Sequence, residues 1–395
     1  VKKLKLLSVS VAALCSAAAL SPAQALVINL NNTGGVEMGT QAFYGFSVAS
    51  AFWENVISND VEVNLDVGFG GLPPNVLGST GSSRLVADLG QFVNALQATG
   101  TTNLDSNLVM PNLVASTAGG SAAVDALISA PRPDGTGVAL PVSRALDSDG
   151  GANNSFLAAN TAVLKAVGLL AADAAGADGT VTFSSDFAFD FNPQDGIDGD
   201  KIDFIGVAIH EIGHALGFVS GVDVYDINTG FGGDIGNFAI MSALDLFRYS
   251  ADSAAQGALD WAVGGDFMTN EAPYFSIDGG ASVFTAGSGA GFFSTGRTFG
   301  DGRQASHWKD IAPPLGLLDP TVSFGTGTEV TSLDLAAYDA MGWNISYDVF
   351  NDRDRTFAGT ELFGVTSVNA PATVSIMLLG LGLFGATSRR RNKAK

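Results

Sequence analysis

The sequence predicts an α+β protein of two subdomains flanked by processing segments. Three observations lead there. Helical-period and period-two apolar stretches alternate through the first half, the pattern of a mixed, twisted sheet packed on helices. An apolar helix at about 203–217 carries two histidines one turn apart. The length leaves room for a second subdomain beyond it. The implied organisation is a leader at 1–25, an N-terminal subdomain at 26–217, a C-terminal subdomain at 218–350, a linker at 351–370 and a tail at 371–395. With 46% hydrophobic and 15% charged residues over 395 positions, the chain has ample material for a core and is not disordered in composition.

Residues 40–57 repeat apolar side chains at helical spacing and predict the first helix. Residues 61–69 alternate Val61, Val63, Leu65, Val67 and Phe69 with Glu62, Asn64, Asp66 and Gly68, which predicts a half-buried strand. Gly70-Gly71-Leu72-Pro73-Pro74 ends it. A second helix is expected over 84–97, loop over 98–152 and a third helix over 154–172, where Asn160 and Lys165 argue against a membrane span. Residues 180–191 alternate again, with Val181, Phe183, Phe187, Phe189 and Phe191 as the apolar set, and read as a strand or hairpin.

Charge is distributed unevenly. The net charge is −20, yet Lys2, Lys3 and Lys5 open the chain and Arg389, Arg390, Arg391, Lys393 and Lys395 close it. Residues 26–368 hold the remaining 11 basic side chains and all 39 acidic ones. An acidic body excludes nucleic-acid binding, which needs a basic footprint, and disfavours docking on an anionic membrane. The leading lysines, the apolar stretch 6–20 and Ala23-Gln24-Ala25 form the n-region, h-region and cleavage site of a secretory signal. Its Cys15 is the only cysteine, so the expected mature chain, starting near Leu26, has neither a disulfide nor a thiol to act as a latency switch. At the other end, 372–388 is uncharged, apolar and followed by three arginines, long enough for a short membrane span with its basic flank inside. With Val368-Asn369-Ala370-Pro371-Ala372-Thr373 before it, this tail resembles the PEP-CTERM sorting signal of Gram-negative bacteria, lacking the first proline of that motif. The resemblance implies export, transient anchoring and processing by an exosortase-type partner, with the body in the envelope, at the cell surface or outside.

The chemistry is concentrated in His210-Glu211-Ile212-Gly213-His214-Ala215-Leu216-Gly217-Phe218. At i, i+4 on a helix, His210 and His214 share one face and can reach one Zn²⁺. Glu211 follows the first of them, where it can take a proton from zinc-bound water. Apolar neighbours such as Phe204, Ile205, Val207, Ile209 and Ile212 make this a buried helix. Two histidines are too few for a catalytic zinc, so a third ligand is needed. Ser220 stands six residues after His214 and is a poor ligand; the remaining histidine, His307, and the carboxylates Asp223, Asp226, Asp234 and Glu271 are the candidates.

These motifs resemble the leishmanolysin-type metzincins, zinc proteases in which H-E-x-x-H-x-x-G-F is followed by a long insertion, a His-Trp pair, a Met-containing turn before Pro, and a last helix ending near Gly-aromatic. This chain has His307-Trp308, Gly316-Leu317-Leu318-Asp319-Pro320 and 333–343 ending in Gly342-Trp343, with Leu318 where that family has Met. The resemblance covers about 200–345. It implies a metzincin-like two-subdomain fold with an irregular C-terminal subdomain, His210, His214 and His307 as zinc ligands, Glu211 as general base, and peptides or proteins as substrates of a zinc endopeptidase. It also leads to the expectation that the 180–191 strand lines the cleft with a free edge for substrate backbone. The competing readings are an envelope-surface zinc-binding module and an inactive homologue. Asp195, Asp198 and Asp200 alternate with glycines in a way that suits Ca²⁺ but lacks the full calcium-loop pattern, so a solvated acidic turn is preferred. Asp147-Ser148-Asp149 is a shorter instance.

Overall fold

The computed structural model describes residues 26–358 apart from 228, 229, 231 and 267; the expected signal, most of the linker and the sorting tail lie outside the described residues. Strand β1 (Val27–Gly34) leads into helix α1 (Gln41–Val56), which starts at Thr40, whose hydroxyl accepts the Phe43 N–H. The chain returns as β2 (Glu62–Gly70), parallel to β1 with Ile28 opposite Val63 and Leu30 opposite Leu65. Val63, Leu65 and Val67 are buried on one face, as the period-two pattern requires. A short strand, β3 (Gly78–Ser82), and then β4 (Arg84–Asp88) precede α2 (Leu89–Thr99).

The segment 84–97 is therefore not one helix. Asp88 accepts the Gln91 N–H and starts α2, while 84–88 extends to pair antiparallel with β5 (Phe156–Asn160). That pairing also breaks the helix expected over 154–172 into a turn at Ala152–Ser155, β5, and a short helix α3 (Thr161–Ala166). Both stretches have an apolar pattern that suits a helix, and the cross-strand ladder overrides it. The presumed loop 98–152 holds short strands as well, with Ala126–Ser129 between Arg144–Asp147 and the distant Leu259–Trp261. Lys165 is not a surface cation: its Nζ is 2.7 Å from Asp178 Oδ2 and donates to the Glu62 carbonyl, so this buried pair ties α3 to β2.

Strand β6 (Gly179–Ser184) completes a four-stranded sheet in the order β1-β2-β6-β3. It runs parallel to β2 and antiparallel to β3, so it is flanked on both sides. The expectation of a free edge on this strand is corrected: the outer strand is β3. No hairpin forms over 180–191, because Phe189–Asp190 pairs parallel with Ile202–Asp203.

Helix α4 (Phe204–Ala215) lies under this sheet against α1 and β3. Phe204, fully buried, touches the rings of Phe46, Phe69, Phe183, Phe189 and Phe191 at centroid distances of 4.4–6.2 Å. The C-terminal half contributes a last helix, α5 (Ser332–Ala340), whose Tyr338 packs edge-on against Trp53 of α1 at 4.6 Å. The whole is a mixed α+β arrangement of several small sheets and, among the described residues, nine α-helical segments. No helix among these residues is long and apolar enough to cross a membrane.

Because Phe204 joins the first turn of α4 to five other rings, Phe204→Ala should destabilise the fold by about 3–5 kcal/mol, the range for emptying a phenylalanine site in a core. Denaturant unfolding checks this through a lowered midpoint.

Candidate metal centre

Helix α4 starts and stops at sharply defined points. Asp203 accepts the Gly206 N–H at 3.0 Å and, through its second oxygen, the backbone and hydroxyl of Thr328. At the other end Gly217 adopts φ +122°, and a Cβ there would lie 2.6 Å from Val163. Glycine is needed both for the conformation and for the close approach. The orphan carbonyls of the last turn are taken up by side chains: Asn160 donates to His214 and Ala215, Ser82 to His214, and Trp343 to Leu216. The helix bearing the motif is therefore fastened at its C-terminal end from three different segments.

His210 and His214 project from one face, as their spacing predicts. His210 Nδ1 lies 2.7 Å from the Leu317 carbonyl and His214 Nδ1 2.6 Å from the Phe218 carbonyl. Donation from Nδ1 leaves each Nε2 as a bare lone pair directed inward. His307 reaches the same point from 93 residues away: its Nε2 is 3.2 Å from His214 Nε2, which is 3.0 Å from His210 Nε2. Among the described residues this is the one group of three His, Cys, Asp or Glu side chains close enough together to hold a metal ion.

The other third-ligand candidates are engaged elsewhere. Asp226 accepts the Thr298 and Phe299 N–H groups, and Asp234 accepts that of Gly236. Glu271 is absent from the cluster. Ser220 lies buried one step from the triad, with its N–H on the Ser306 hydroxyl and its own hydroxyl on Asp245. In the 195–200 turn, Asp198 pairs with Lys201 at 2.6 Å and Asp195 accepts from Asn192, which suits an acidic surface turn.

His307 is held through its neighbours. Asp223 accepts the Ala305 N–H at 2.7 Å, the Ser306 N–H at 3.2 Å and the Ser306 hydroxyl at 2.6 Å. Trp308 donates its indole N–H to Asp334 at 2.8 Å. The same Asp334 carboxylate accepts the N–H groups of Leu317 and Leu318, so it links the third histidine to the loop whose carbonyl orients His210. Leu318 is fully buried, and its carbonyl accepts the Trp308 N–H.

Glu211 is 6% exposed and lies beneath β3. The Thr80 hydroxyl is 2.7 Å from its Oε2 and 2.8 Å from its backbone carbonyl. A side chain on Gly78 would collide with the Glu211 carboxyl, 2.7 Å away at Oε1. Burial pushes the Glu211 carboxyl up to about 7 against the lowering effect of Thr80. Burial, and then the neighbouring His210, push His214 down to about 3, and burial likewise depresses His210 and His307. All three imidazoles are thus neutral at pH 7, the state that ligates metals. Thr80, Gly78, Asp223 and Asp334 have no motif that singles them out in the sequence. The run Gly78-Ser79-Thr80-Gly81-Ser82 has no apolar alternation, and the two aspartates act through backbone groups brought near only by folding.

No family model matches the chain, and no curated protein or solved structure is significantly similar to it.

Two outcomes are expected. Asp223→Asn places an amide against two backbone donors and should loosen the His307 segment, weakening metal affinity about 10–100-fold, the usual cost of losing an outer-shell partner; competition with a chromogenic chelator measures it. In metal-stripped protein, stability should fall as pH drops from 6.5 toward about 3, because the unfolded histidines take up protons before the buried ones do. Glu211 acts in the opposite sense between 4.5 and about 7, and three imidazoles outweigh one carboxyl. Denaturant titrations at pH 7, 5 and 4 read the slope.

Proposed function

We propose that the chain is a zinc-dependent endopeptidase. The single observation that carries this reading is the convergence of three neutral imidazoles, each with Nε2 inward, beside a buried glutamate. Tetrahedral Zn²⁺ with bonds of about 2.0–2.1 Å sets ligand nitrogens about 3.3 Å apart, close to the 3.0 and 3.2 Å found here. Lone pairs at that separation repel each other unless a cation or a proton lies between them, and the depressed basicity of all three rings disfavours a proton. The donor set therefore fits zinc. Three protein ligands leave a coordination position for substrate chemistry, whereas a structural site normally has four.

His210, His214 and His307 would hold the ion, which when bound supplies Lewis acidity toward a water molecule and a peptide carbonyl. Glu211 then takes the proton of the attacking water on its carboxylate as the C–O bond forms. It returns that proton to the departing amine nitrogen as the C–N bond breaks. A carboxyl poised near pH 7 can do both. Thr80 restricts the carboxylate to one orientation, and β3, the outer strand above it, offers backbone groups to an extended peptide.

The motif resemblance to the leishmanolysin-type metzincins supports the same reading. It extends the proposal to a metzincin-like division into two subdomains and, with the leader and tail, to export and processing at the cell envelope. Leu318 in place of the family's methionine is an apolar replacement of similar volume in a buried position, so it does not favour the inactive-homologue alternative.

Glu211→Gln should keep one zinc per chain and lose at least about 10²-fold in cleavage of a generic unfolded protein substrate, the scale of general-base contributions. Undiminished proteolysis by that variant, or cleavage indifferent to a zinc chelator, would overturn the assignment.

A further inference from the structure

Arg84 opens β4 directly after the outer strand β3, and three observations place its side chain over the end of the histidine-bearing helix. Side chains alternate along this run. The Thr80 hydroxyl reaches Glu211 and the Ser82 hydroxyl reaches the His214 carbonyl, whereas Ser83 turns the other way and donates to the Ala177 carbonyl. Arg84 is the next residue of the inward set. It also stands opposite Asn160 of β5, and opposed residues of an antiparallel pair share a face. The Asn160 amide donates to the His214 and Ala215 carbonyls, so that face is the one turned to the end of α4. In keeping with both, the Arg84 charge acts on His214, Asp223 and Asp245.

The guanidinium is unengaged there. Among the described residues the Arg84 side chain makes no hydrogen bond and no ion pair. Asp223 and Asp245 attract it without binding it, because their oxygens are committed: Asp223 to Ala305 and Ser306, Asp245 to Ser220, Gly221 and Ser242. Arg84 is exposed to solvent, yet enough protein surrounds its head group for burial to push it below the usual arginine range. This describes a cation recessed at the rim of the metal centre and open to what enters from solvent. A second arginine that acts on the triad, Arg303, is occupied, being paired with Asp310 at 2.9 Å. Arginine stays charged at physiological pH and presents a planar fork of donors that matches a carboxylate.

The geometry points to Arg84 as a specificity-determining residue that receives a carboxylate of the substrate peptide beside the metal centre. This rests on the endopeptidase reading and adds a substrate class, peptides with a carboxylate close to the bond that is cut, supplied by an Asp or Glu side chain or by the chain's own C-terminus. Arg84 lies four residues beyond Thr80, which faces Glu211. At about 3.3 Å per residue, an extended peptide along β3 brings a carboxylate to Arg84 from within about four residues of that bond. The charge of the body makes such a receptor consequential. Residues 26–368 hold 39 acidic and 11 basic side chains, so most of the surface repels an acidic peptide, and a recessed cation at the site offsets that repulsion where binding occurs.

The test uses the full chain carrying Glu211→Gln, which on that reading binds without cutting, and short fluorescent peptides acetylated and amidated at their ends. Each carries Glu, Gln or Lys at one position, and a second set has a free C-terminal carboxylate. Anisotropy should show the carboxylate-bearing peptides of one set binding at least about ten-fold tighter than their neutral counterparts, the scale of hydrogen bonds to a charged group; which set responds tells a side chain from a chain end. Adding Arg84→Gln should erase the difference, and Arg84→Glu should reverse it in favour of Lys, with zinc content equal in all variants. A residue that merely supported the fold would give no reversal. Equal binding of charged and neutral peptides by the parent, or a preference that survives Arg84→Gln, overturns this inference and leaves the endopeptidase reading standing. Carboxylate-selective binding by a chain that, with Glu211 restored, cuts none of the peptides sinks that reading and keeps this one; a parent that binds none of the peptides sinks both.

Discussion

Three converging imidazoles, with His214 Nε2 3.0 Å from that of His210 and 3.2 Å from that of His307, are the constraint around which this protein is organised. No such arrangement persists through apolar packing alone, because neutral nitrogens facing each other at that distance repel, and burial opposes protonating them. The surrounding structure must therefore hold each ring by its other nitrogen or by its neighbours in the chain. The carbonyls of Leu317 and Phe218 orient two of the rings; the third is delivered by a clamped loop.

The clamping is done by aspartate. Asp203, Asp223, Asp226, Asp245 and Asp334 each accept two or more donors from backbone or side chains across long sequence separations. A carboxylate has about four acceptor sites and makes strong, charge-assisted bonds, so one residue can fix an entire irregular turn. In a chain whose only cysteine is Cys15, these carboxylates supply long-range ties of the kind that disulfides supply in other proteins. It also gives the acidic composition a structural meaning, since a share of the 39 acidic side chains faces inward onto backbone N–H groups instead of outward to solvent.

Legibility from sequence followed the range of the interactions. The first helix, the β2 strand and the histidine-bearing helix α4 are each legible within two residues of their ends, because apolar period and capping residues act locally. The stretches 84–97 and 154–172 carry a helical apolar period yet form strand for part of their length, because their fate rests on pairing with each other across some seventy residues, as in Val86 opposite Ala158. The outer strand β3 was invisible: Gly78-Ser79-Thr80-Gly81-Ser82 has no side-chain pattern, and its conformation follows from the ladder with β6.

The sequence by itself determined the two helical histidines on one face, the glutamate between them and the glycine that ends the helix, since spacing on one helix is a local geometric fact. Spacing left His307 as one candidate among several, and only the family resemblance singled it out. Tertiary structure decided that His307, not Asp223, Asp226, Asp234 or Glu271, completes the cluster, and that Asp223 serves as its clamp. The physical reason is that a histidine 93 residues downstream is positioned by hydrogen bonds and packing between segments that have no relation in the linear chain.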